Sequence, residues 1–169
     1  IDSDGVSMFI GTDNVEAGRK AAEAAINGFG DGRQINIGIV NYYKSTENGM
    51  QREKGFRDYL KDTENANIAV SVNVSSNTES VSEAVSALLN EHPEINVLVG
   101  FNEWMTLGIG YTIKQLDLSD KVYAVGFDRN SVCIGMLETG EIDTLIVQNP
   151  FAIGYLGVKN AAKVISGET

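Results

Sequence analysis

Three short segments bring together residue types that bind hydroxyl groups well and perform bond-breaking chemistry poorly. Val97-Leu98-Val99-Gly100-Phe101 runs into Asn102, Val125-Gly126-Phe127 into Asp128, and Ile146-Val147 into Gln148. Each is an apolar β run ending in an amide or carboxylate just before a helical pattern. In open α/β sheets, ligands sit in the crevice outside the carboxyl ends of parallel strands. Asn102, Asp128 and Gln148 are therefore expected on one rim. None is a strong nucleophile. Amides donate and accept, and an ionised Asp accepts from two hydroxyls at once, so the set suits a neutral, hydroxyl-rich molecule.

The elements that must position these residues alternate β and α. Residues 8–12 read as a short strand. Asp13 and Asn14 open a helix over 14–28 with Ala21, Ala22, Ala25 and Ile26 on its apolar face. Strands follow at 34–41, 67–74, 95–101, 121–126 and 142–147. Helices follow at 48–63, 77–91, 103–116, 130–139 and 150–166, the last entered through Pro150. This alternation predicts an α/β fold: a parallel, right-handed, doubly wound sheet with helices on both faces.

Composition narrows the class. The chain has 169 residues, 43% hydrophobic and 21% charged, enough for one domain with a sizeable core. A net charge of −10 argues against a nucleic-acid surface, which needs clustered Lys and Arg. No apolar run is long enough to span a bilayer. Cys133 is the only cysteine and is expected as a small packed side chain. The chain opens at Ile1 without Met, and the expectation is a processed or excised piece.

Other motifs read as structure. Gly28-Phe29-Gly30-Asp31-Gly32 follows a helix and precedes a strand, the wrong context for a nucleotide loop. Gly108-Ile109-Gly110 suits close helix packing. His92 is the only histidine, with no cysteine pair to join it, so neither a metal site nor any cofactor is expected. It also falls at the amino end of its strand, away from the ligand crevice. Asp128 could cap helix 130–139 as well as accept hydroxyls, and the two roles are compatible. Glu103 suits the positive end of a helix. Trp104 and Phe127 either stack on a sugar's C–H face or belong to the core.

Several segments, in order and in register, carry a resemblance. Phe9-Ile10-Gly11-Thr12-Asp13-Asn14, Gln51-Arg52-Glu53-Lys54-Gly55-Phe56, the Asn102 and Asp128 segments, and Gln148-Asn149-Pro150 through Gly157 resemble periplasmic sugar-binding proteins of the ribose/galactose type. The resemblance runs over essentially the whole chain. It implies a Rossmann-like lobe of a two-lobed, type I periplasmic binding protein, with 8–147 as the second lobe. Residues 1–7 and 148–169 would then be crossovers toward a first lobe.

The resemblance also implies site residues. Asn102, Asp128 and Gln148 match hydroxyl-binding positions, Phe127 an aromatic neighbour, and Asp2 an acidic hinge contact. Met50 stands where ribose binders have an arginine, Ser3 where an arginine often follows the hinge acid, and Ser76 near an aromatic of the cleft. These changes remove cationic forks and suggest a different, less polar or larger ligand than ribose. Tyr42, Tyr43 and Trp104 are then candidates for stacking.

The implied role is reversible binding of a sugar-like molecule as the solute-binding component of an ABC importer. The whole protein would act outside the cytoplasm, in the periplasm or lipid-anchored, with a membrane permease as partner. An isolated lobe is expected to form homodimers. The effector domain of a LacI-like regulator and the sensor domain of a receptor share the fold and stand as alternatives. An enzyme ranks last, because no nucleophile–base pair is evident.

Overall fold

A computed structural model describes residues 5–30, 32–42, 46–75 and 77–167. Asp2, Ser3, Tyr43 and Ser76 lie outside the described residues. The chain forms two compact units, Asn14–Val147 and the pair of segments Ile1–Asp13 and Gln148–Thr169.

In the larger unit the elements run α1 (Asn14–Phe29), β1 (Ile35–Tyr42), α2 (Glu47–Leu60), β2 (Ala66–Val74), α3 (Thr78–Glu91), β3 (Val97–Gly100), α4 (Glu103–Leu116), β4 (Tyr123–Phe127), α5 (Ser131–Thr139) and β5 (Thr144–Ile146). The strands form one sheet in the order β2-β1-β3-β4-β5, all neighbours parallel. The predicted doubly wound sheet is therefore present. β3 is buried along its whole length, as a central strand with helices on both faces must be.

Two cores flank the sheet. Ala21, Ala22 and Ala25 of α1 and Phe56 of α2 pack with Ile35, Ile37 and Ile39 on one face. Val81 and Val85 of α3 and Ile109 and Ile113 of α4 pack with Val40 and Leu98 on the other. A register shift between Ile37 and Gly38 lets the Ile68–Val70 stretch of β2 take an extra residue. Ile68 packs with the first core, and Val70, Val72 and Val74 with the second.

α1 and α2 approach backbone to backbone. A Cβ on Gly18 would lie 1.9 Å from the Arg52 carbonyl oxygen, and one on Gly55 would lie 1.9 Å from that of Val15. Only glycine permits this approach. The Gly108-Ile109-Gly110 stretch packs closely as expected, with Gly108 against Val81 and Gly110 against Met136.

One predicted element is absent. Residues 8–12 form no strand, because a strand needs a ladder partner and every strand of the sheet lies between Ile35 and Ile146. In the smaller unit, the Asn149 side chain caps α6 (Pro150–Ser166) by accepting from the Ala152 N–H at 2.9 Å. α6 buries none of its residues, and Phe151 (81% exposed) and Ile165 (87%) stand open. A groove of about 610 Å³ runs between α6 and residues 6–10, lined by Val6, Met8, Ile153 and Val164. No helix among the described residues is long and apolar enough to cross a membrane.

Candidate functional site

The carboxyl ends of β1, β3 and β4 open into a hollow of about 260 Å³. Tyr42 and Thr46 enter from the β1 side, Asn102, Glu103 and Trp104 from the start of α4, and Asp128 from the end of β4. The fold thus brings together Asn102, Asp128, Trp104 and Tyr42. Trp104 is 46% exposed, so its ring is available to a ligand.

Asn102 has a structural duty as well. Its Oδ1 accepts from the Met105 N–H at 3.0 Å and caps α4. Its side-chain NH₂ remains a potential donor, since a cap uses only the oxygen. Glu103 stands in the first turn, where the helix dipole favours a carboxylate, and accepts from Asn130 Nδ2 at 2.8 Å.

Asp128 is not the cap of α5. That role belongs to Asn130, whose Oδ1 accepts from the Cys133 N–H at 2.8 Å. Asp128 instead has left-handed backbone, with φ 69°, and its N–H donates to the Ile146 carbonyl at 3.0 Å. Left-handed backbone is uncommon outside glycine, though Asp tolerates it better than most. The chain turns sharply at the point where the carboxylate meets the hollow.

Of the two options for Phe127, the structure takes the core. Its ring is 0% exposed and packs edge-on against Phe101, with centroids 5.7 Å apart. The Arg52 guanidinium carbon lies 4.7 Å from the Phe127 ring centre. Arg52, itself 2% exposed, donates from Nε to Asn14 Oδ1 at 2.9 Å and from Nη1 to the Phe101 carbonyl at 2.7 Å. Burial holds this guanidinium below the usual arginine range, and the Asp128 carboxylate opposes that shift.

Met50 lies elsewhere. It lines a larger groove of about 780 Å³ between α2 and β2. Glu53, in the same groove, accepts from Asn41 at 2.7 Å, Ser71 at 3.2 Å and Arg57 at 2.6 Å. These charged groups satisfy one another. Gln148 belongs to the smaller unit, where its Oε1 accepts from the Thr12 hydroxyl at 2.8 Å.

Arg52, Thr106 and Asn130 are not among the predicted site residues. The Asn130-Ser131 step before an apolar run is a readable cap signal. Arg52 gives no such local signal, because its partners lie 38 and 49 residues away. Cys133 is buried, and His92 ends α3 beside Glu94, 3.1 Å away. Among the described residues, no group of three or more His, Cys, Asp and Glu side chains could hold a metal ion.

Amide, carboxylate and aromatic side chains thus meet at the strand ends of a parallel doubly wound sheet, the place where open α/β sheets hold ligands. The chain belongs to the periplasmic binding protein domain family, whose model matches residues 1–169. It is 27% identical over 161 residues to the D-ribose/D-allose-binding protein of Pseudomonas aeruginosa, covering 95% of this chain and 50% of that protein. It superposes on a carbohydrate transporter solute-binding protein of Agrobacterium radiobacter, solved with D-arabinose, with a TM-score of 0.90 and 30% identity. That match covers 99% of this chain and 58% of the other. A solute-binding protein of Agrobacterium vitis with bound D-fucose gives a TM-score of 0.85 and 28% identity, covering 95% and 55%. The chain thus spans about half the length of the curated relatives it matches.

Proposed function

We propose that the chain is the second lobe of a two-lobed receptor that binds a neutral sugar reversibly for an ABC importer. The observation that carries this is the meeting of Asn102, Asp128, Trp104 and Tyr42 in one hollow at the carboxyl ends of the strands. Sugar hydroxyls would replace water on the Asn102 amide and the Asp128 carboxylate, and the exposed Trp104 ring would cover a C–H face. By resemblance to the family, Gln148 and Asp2 are further candidates for polar contacts to the sugar. Phe127 would back the site from the core. A sugar lacking the right hydroxyl would leave a buried partner unsatisfied and bind weakly.

The relatives support the ligand class, because their names carry D-ribose, D-allose, D-arabinose and D-fucose. Their extra length supports a first lobe outside these 169 residues. That lobe would seat on the apolar groove along α6, and closure about the crossovers would trap the ligand. Without it, the exposed α6 face favours homodimers of the isolated lobe. The whole receptor would work outside the cytoplasm and deliver its sugar to a membrane permease. No catalytic step enters this account.

The test is a thermal-shift screen of the full-length protein against aldopentoses, aldohexoses and their alcohols. A ligand that binds only the folded state raises the melting temperature by mass action. A shift with at least one sugar supports the reading. No shift with any sugar refutes it.

A further inference from the structure

Asparagine is followed by glycine at two places in this chain, Asn27-Gly28 and Asn48-Gly49. Glycine has no Cβ, so the backbone nitrogen after such an asparagine is unhindered as a nucleophile toward the neighbouring side-chain amide. The two pairs stand in different settings. Asn27 and Gly28 belong to the last turn of α1, where each N–H is committed to the carbonyl one turn back. Gly28 also packs against Tyr123, and a Cβ there would fall 1.9 Å from the tyrosine hydroxyl oxygen. Asn48 and Gly49 belong to the first turn of α2, ahead of the helical ladder, which starts with the Met50 N–H on the Thr46 carbonyl at 3.0 Å. The Gly49 N–H donates instead to Asn48 Oδ1 at 2.9 Å. The nitrogen is thus already bonded to the amide it would attack.

Two further features favour reaction at Asn48. α3, α4, α5 and α6 each start on an asparagine whose side chain accepts from the first turn, whereas Thr46 at the start of α2 makes no such bond. That turn therefore opens at lower cost, and ring closure requires such an opening. The Asn48 side chain is also exposed, and with Thr46 and Gly49 it lines the hollow that holds Asn102, Glu103 and Asp128.

We propose that Asn48 is a self-modification site in the wall of the hollow, converting with time to aspartate or isoaspartate and lowering sugar affinity. The effect on affinity rests on the sugar-binding reading above; the modification does not. Hydroxide removes the Gly49 N–H proton. The nitrogen forms a bond to Asn48 Cγ, the Cγ–Nδ2 bond breaks, and the amide nitrogen takes up a proton and leaves as ammonia. Water then opens the succinimide at either carbonyl. Water enters and ammonia leaves, with nothing oxidised or reduced. The product adds a carboxylate beside those of Glu103 and Asp128 and removes an amide donor. Opening at the backbone carbonyl also lengthens the main chain by a methylene at the start of α2.

The experiment incubates the folded full-length protein at mildly alkaline pH and follows two tryptic peptides by mass, residues 45–52 and residues 21–33. Peptide 45–52 should exchange NH for O several-fold faster than peptide 21–33, and enzymatic methylation of isoaspartate should label it. In urea the ratio of the two rates should fall, because both pairs are then unfolded. An unmodified peptide 45–52, equal rates in the folded protein, or a ratio unchanged by urea would overturn the proposal. Affinity is read separately, with the sugar giving the largest thermal shift. Asn48→Asp should weaken it about threefold, the scale of one hydrogen bond. Ageing should lower the affinity of the parent and leave that of Asn48→Gln where it began. Unchanged affinity in Asn48→Asp would overturn the effect on binding. Absence of any sugar binding would fail the underlying reading, while the peptide masses test the modification in either case.

Discussion

The Thr106 hydroxyl and the Phe127 backbone are locked together. The Thr106 oxygen accepts the Phe127 N–H at 2.8 Å, and its own hydrogen faces the Phe127 carbonyl at 2.9 Å. The Asn102 carbonyl lies 3.0 Å from the same hydroxyl. One fully buried side chain on α4 therefore ties the end of β4 to the start of its own helix, beside the two residues that face the hollow. Thr106→Val preserves the shape and removes the hydroxyl. It leaves the Phe127 N–H buried without this partner and should destabilise the protein by about 1–3 kcal/mol. Thr106→Ser should lose much less. Urea denaturation of both variants checks this, and wild-type stability in Thr106→Val would contradict it.

Asn102 carries two duties that substitution can separate. Asn102→Ala loses the cap on α4 and should cost about 0.5–2 kcal/mol along with sugar affinity. Asn102→Asp keeps an oxygen for the Met105 N–H but has no amide donor. It should melt near the parent temperature and still bind sugar more weakly. Melting curves with and without ligand distinguish the two effects. Equal affinity in Asn102→Asp and the parent would remove the amide from the site.

Glu141 provides a pH test far from the hollow. Its buried carboxylate accepts from the Thr139 hydroxyl and pairs with Lys114 Nζ at 3.0 Å. The Thr139 hydroxyl, then Lys114, hold its pKa below the usual glutamate range, against the opposing effect of burial. A carboxylate with a lowered folded pKa adds stability above its unfolded pKa and loses it as pH falls through the folded value. Glu141→Gln should therefore melt lower than the parent at neutral pH, and the gap should close on acidification through the carboxylate range. A gap independent of pH would contradict this account.

The sheet was legible in the sequence because five apolar runs alternate with helical patterns, and each run became a parallel strand. Residues 8–12 carry the same apolar signal and form no strand, because composition does not reveal whether a ladder partner exists. In the site, Asn102 and Asp128 were legible as polar residues closing β runs. Of the two options open to Asp128, the cap of α5 falls instead to Asn130, since Asp and Asn both cap well and the two stand two positions apart. Arg52 stood out only as part of a resembling segment, and its contacts, like those of Thr106, were not legible. Their partners come from other elements, and only the folded sheet brings Phe101 and Phe127 to them.

Calorimetric titration of the full-length protein with its best-shifting sugar, beside Asn102→Ala and Asp128→Ala, tests the central claim most directly. The account predicts saturable binding by the parent and a loss of about tenfold or more in each folded variant, the scale of removing a buried hydrogen-bond partner. Unchanged affinity in both variants would show that the hollow between Asn102 and Asp128 is not the sugar site.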